Sequence, residues 1–150
     1  MKKISLLLAL LIVNCSLIIV QAQNPEIDSL ENLLQKHERN DTTRVNLLNE
    51  TAYKLYSINI DKTLRYAKEA GELADKIGFV KGKAESLRII GIYYRMKADY
   101  PKSLEYYQKS LKISEELGDK KGISKCYQSI GIIYKEQGDY LKALEYYQKS

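Results

Sequence analysis

DYPKSLEYYQKS at Asp99–Ser110 returns as DYLKALEYYQKS at Asp139–Ser150. The offset of 40 residues extends backward along the chain. Lys81-Gly82 matches Lys121-Gly122, Ile90-Gly91-Ile92 matches Ile130-Gly131-Ile132, and Tyr94 matches Tyr134. Sixteen of the thirty positions in 81–110 are identical to their counterparts in 121–150, without a gap. A weaker copy lies one period earlier, with Leu47 under Leu87, Tyr53 under Tyr93, Leu64 under Leu104, Tyr66 under Tyr106 and Gly78 under Gly118. Uniform self-similarity at such a period marks a repeat array, whose units cannot bury their faces alone and stack on their neighbours.

Within one period the apolar residues fall at helical spacing, Leu87, Ile90 and Tyr94 in one segment and Leu104, Tyr107 and Leu111 in the next, so each period holds two amphipathic helices. Gly118-Asp119 and Gly138-Asp139 combine a residue free to turn left-handed with a side-chain oxygen for the next helix's orphan N–H groups. Pro101 is compatible with the first turn of a helix, where its missing N–H is not needed. Gly91 and Gly131 lie inside helices, where glycine costs about 1 kcal/mol relative to alanine. Their recurrence at one phase predicts close helix approach, with Ser103 and Ala143 as small partners and Tyr107 and Tyr147 as the large residues filling the groove.

These residues resemble the tetratricopeptide repeat, whose pattern of a large residue, Leu-Gly, Tyr, a small residue and an aromatic is met by Tyr127, Ile130-Gly131, Tyr134, Ala143 and Tyr147. The preceding copy offers Leu87, Ile90-Gly91, Tyr94, Ser103 and Tyr107. The period is 40 residues where about 34 is usual, which is similar to the kinesin-light-chain type. The first copy departs from the pattern, with Thr51 in place of the glycine and Ala67 in place of the aromatic. The resemblance implies an all-α superhelix of helical hairpins. It divides the chain into a lead helix over 23–40, a degenerate repeat over 41–80, a repeat over 81–120 and a repeat over 121–150 that is incomplete at its end. On this reading Ile130, Ile133, Leu144 and Tyr147 are poorly covered, and the chain is expected to be the N-terminal part of a longer array.

Residues 1–22 read differently. Lys2-Lys3, an apolar run from Ile4 to Val20, and small residues at Val20 and Ala22 make a secretory signal peptide. The alternatives are an uncleaved anchor, which the short run dented by Asn14-Cys15-Ser16 disfavours, and a lipid-modified Cys15, which Asn14 disfavours. Cleavage takes the formal charge from +5 to 22 − 19 = +3, with acids and bases interleaved, so no nucleic-acid partner is demanded. The expected location is the bacterial cell envelope, periplasmic or facing the periplasm, with membrane contact only through the signal segment or a missing downstream anchor. Only Cys126 survives cleavage, and it reads as a helix-packing residue.

His37, the only histidine, reads as a solvated residue near the end of the lead helix. No metal-ligand spacing, phosphate loop or nucleophile elbow occurs, and neither a catalytic residue nor a cofactor is expected. The paired tyrosines 106–107 and 146–147 read as core packing, with Glu105–Lys109 and Glu145–Lys149 as i,i+4 pairs.

What remains is a surface for a partner. The resemblance implies that the first helix of each repeat lines a concave groove. Its outward positions beyond Glu85 are then Arg88, Ile92, Arg95, Lys125, Gln128, Ile132 and Lys135. Basic and amide groups around two isoleucines predict a protein or peptide ligand with acidic and apolar residues. The use of that binding is expected to be that of an exported scaffold. The alternative is the sensory ectodomain of a signalling enzyme, since a signal followed by long repeats resembles bacterial sensor histidine kinases and related transcriptional regulators.

Overall fold

A computed structural model describes residues 24–150. The signal peptide expected over 1–22 therefore lies outside the described residues. Among the described residues seven helices follow one another: α1 (Pro25–Lys36), α2 (Thr42–Leu55), α3 (Ile60–Ile77), α4 (Val80–Met96), α5 (Tyr100–Glu116), α6 (Lys120–Glu136) and α7 (Tyr140–Gln148). Among the described residues there is no strand. The helices α2/α3, α4/α5 and α6/α7 form three successive hairpins. No helix among the described residues is long and apolar enough to cross a membrane.

Local chemistry sets the helix ends. Asn24, Asp41, Asn59, Asp99 and Asp139 each accept a hydrogen bond from an N–H of the helix they precede, at 3.0–3.3 Å. Such caps are worth about 1 kcal/mol apiece. Asp119 is the exception to the expected pattern. It makes no side-chain cap bond, because its carboxylate reaches back one repeat to the Lys81 ammonium at 3.0 Å. Gly78, Gly118 and Gly138 all turn left-handed, and Ala98 adopts the same conformation at φ 57° without being glycine. His37 is tied in: its Nε2 lies 2.8 Å from the Asp41 carboxylate, while Arg44 donates to the carbonyls of Leu34 and His37 and closes the end of α1.

The interior glycines do what their phase predicts. A Cβ on Gly91 would stand 2.5 Å from the ring of the fully buried Tyr107, and one on Gly131 would stand 2.7 Å from Tyr147. The Ser103 hydroxyl donates to the Gly91 carbonyl at 2.7 Å, fixing α5 against α4 at the closest approach. The core then runs as three apolar clusters, the first between α1 and the first hairpin and the other two between successive hairpins. Leu34, Val45, Leu48 and Leu73 form the first, Ala52, Ala67, Ile89 and Ile90 the second, and Ile92, Tyr107, Ile130 and Ile133 the third.

Two details differ from the expected coverage. Ile130 and Ile133 are buried, because they face back onto α5 in the third cluster, whereas Leu141, Leu144 and Tyr147 of α7 are exposed. Each full repeat also carries one stacked tyrosine pair, Tyr94 on Tyr106 and Tyr134 on Tyr146, with ring centroids 5.3 Å apart. Lys102 and Lys109 cover the first stack and Lys142 and Lys149 the second, at 5.1–5.3 Å. The adjacent pairs differ: Tyr107 is core and Tyr106 joins the half-buried stack, whereas Tyr147, expected to pack in the core, is exposed beside the half-buried Tyr146 because no further helix covers that face of α7 among the described residues.

Candidate functional site

The first helices of the three hairpins, α2, α4 and α6, share one face of the stack and enclose a groove of about 870 Å³. Residues of α4 from Lys81 to Arg95 form its floor, with α2 on one flank and α6 on the other. Six of the seven sequence-predicted site residues line it: Arg88, Ile92, Arg95, Lys125, Gln128 and Ile132. Lys135 is exposed near the end of α6, outside the lining.

The cations are not free. Arg88 is only 6% exposed and donates through Nη2 and Nε to both oxygens of Glu85, at 2.8 and 3.1 Å. Lys125, one repeat later, donates to the same carboxylate at 3.0 Å. Burial by itself disfavours the charged Glu85, but the Arg88 bonds and the charges of Arg88 and Lys125 outweigh it and bring its pKa down to about 2. The Arg88 guanidinium also lies over the Tyr53 ring, 5.2 Å from its centroid, a contact that adds attraction when water is excluded. Arg95 is bound to Glu136 and Lys81 to Asp119. Three ion pairs therefore bridge α4 and α6 across the repeat boundary. The Lys81 ammonium is also the largest influence holding Asp119 below its ordinary carboxylate value.

The α2 flank was not visible in the sequence. Asn49, Glu50, Tyr53 and Tyr56 line it, but the first repeat lacks the interior glycine that fixes the phase of the other two. Asn49 is buried, and its Nδ2 donates to the Gly82 carbonyl at 2.9 Å. Its Oδ1 has no partner among the described residues; nor has the Tyr107 hydroxyl, which lies near Arg95 and Ser103 without meeting either in bonding geometry. Cys126 is buried on α6 with its Sγ 3.3 Å from the Ser110 hydroxyl, and burial pushes its thiol pKa up. That is the setting of an inert packing cysteine.

Residues 82–150 match the family model of the tetratricopeptide repeat (TPR). The architecture is an all-α superhelix of repeated helical hairpins. The chain is similar to the crystal structure of the TPR domain of Arabidopsis FLU, at 24% identity, over 69% of this chain and 88% of that one, with a TM-score of 0.60. This likeness is one of fold. No curated protein matches the chain. The groove lies on the face that the first helices of the three hairpins share.

Proposed function

We propose that this protein is an exported TPR binding module of the bacterial envelope that holds a protein or peptide segment in the groove formed by α2, α4 and α6. The single observation that carries this reading is the groove itself. It is continuous across three hairpins and mixes aromatic and aliphatic floor residues with fixed polar groups, the composition expected of a binding surface. Two polar atoms of the lining without partners among the described residues, Asn49 Oδ1 and the Tyr107 hydroxyl, add support, since a buried polar atom left unpaired costs about 1–3 kcal/mol. Export rests on the leader pattern of residues 1–22.

Site-specific photocrosslinking tests the reading. A benzophenone side chain at Gln128, exposed in the groove, should give a discrete adduct in envelope extracts. The same group at Gln108, an exposed position of α5 outside the groove lining, should not. Equal adducts at the two positions, or adducts at Gln108 alone, would reject the groove as the binding face.

A further inference from the structure

Most charges in the groove neutralise one another, and those left over are polarised. On the α2 side Lys54 is bound to Glu26 at 2.6 Å. Glu50, exposed on the same wall, forms no ion pair with another described residue. On the α4 and α6 side, Lys81 is matched by Asp119 and Arg95 by Glu136. Glu85 is shared between Arg88 and Lys125, which leaves that trio with one net positive charge. Lys121 lines the groove and has no ion-pair partner among the described residues. It sits in the first turn of α6, where the helix dipole adds positive potential. The groove is therefore negative at its α2 flank and positive at its α6 flank, with Tyr53, Ile92 and Ile132 between.

We propose that the groove selects a bipolar, extended peptide, with an acidic side chain against Lys121 and Lys125 and a basic side chain against Glu50. The inference rests on the groove reading above and gives its ligand a charge order. One carboxylate neutralises the Glu85–Arg88–Lys125 trio. A run of acids brings surplus negative charge against Glu85 and Glu50, which selects against a uniformly acidic segment. Helices that pack side by side lie about 8–10 Å apart, so the two flanks are separated by about 15–20 Å. An extended chain rising about 3.3 Å per residue covers that in five or six residues. A helical segment of the same length spans only about 8 Å and misses one flank.

The probes are three capped hexapeptides that differ only in their end charges: Asp-Ala-Val-Ala-Ala-Lys, Asp-Ala-Val-Ala-Ala-Asp and Lys-Ala-Val-Ala-Ala-Lys, titrated calorimetrically into the mature protein at low salt. The Asp/Lys peptide should bind about tenfold tighter than either like-charged one. Glu50→Lys should move the preference to the Asp/Asp peptide, and Lys121→Glu should weaken the Asp/Lys peptide by about fivefold. Both sites are exposed, so both variants should melt like the parent. Equal binding of the three peptides, or an order that Glu50→Lys leaves unchanged, would overturn the charge polarity and leave the groove reading standing. Failure of all three to bind would also overturn it, and the Gln128 crosslink would then decide the groove reading separately.

Discussion

Glu85 is the residue on which the groove's electrostatics turn. At the matched position the first repeat has Val45 and the third has Lys125, so the three copies are not interchangeable, and the acid of one repeat meets the base of the next. Its folded pKa is depressed to about 2 from 4.5. Stability from a depressed carboxylate is present above the unfolded value and is lost as pH falls toward the folded one. A shift of this size corresponds to about 3 kcal/mol. Denaturant titrations of the parent and Glu85→Gln should therefore differ by about that amount near neutral pH, with the gap closing between pH 4.5 and about 2. A gap independent of pH would mean that packing, not charge, holds the trio together. Sequence reading placed Arg88 in the groove but could not show it buried and doubly bonded. Reversing it to glutamate would set two carboxylates together in a site with little water, so the loss would fall on folding as well as binding.

At the scale of the element, the two interior glycines were legible because they recur at one phase, each at the same offset from a small residue and a tyrosine. The closeness of the contact follows from that pattern, and Gly91→Ala should destabilise the protein by about 2 kcal/mol: overpacking against a fully buried ring outweighs the better helix propensity of alanine. Thermal melts check this, and a melting temperature at or above the parent's would show that Tyr107 can withdraw. The turn between α4 and α5 carries the opposite opportunity. Ala98 holds a left-handed conformation where the next repeat has Gly138, and a side chain there costs roughly 1–2 kcal/mol. Ala98→Gly should raise stability by about 0.5–1 kcal/mol once the greater freedom of glycine in the unfolded chain is counted. A lower melting temperature would contradict that balance. Asp119 illustrates a limit of local reading. Its sequence context is that of a cap, but the cation one repeat away sits 38 positions upstream, and only the superhelical offset between α4 and α6 brings the two together.

For the whole molecule, period and helical phase were enough to predict a stack of α-helical hairpins, and the resemblance to the tetratricopeptide repeat implied the groove along which six of the predicted residues lie. The opposite flank was not readable, because α2 belongs to the divergent copy, with Thr51 in place of glycine, and its inward face is shown only by packing. Nor was the cancellation of charge readable: Lys81–Asp119, Glu85–Lys125 and Arg95–Glu136 join residues 38 to 41 positions apart, and whether such residues meet depends on how each hairpin is rotated onto the last. If the first helices of the repeats form a ligand-binding inner face with a charge order, a peptide carrying that order must seat against it. Methyl NMR of isoleucine-labelled protein, titrated with the Asp-Ala-Val-Ala-Ala-Lys peptide, tests it most directly. Shifts should concentrate at Ile92 and Ile132, with Ile58 and Ile113, which are not in the groove lining, unmoved. Shifts at Ile58 or Ile113 with Ile92 and Ile132 silent would contradict the account.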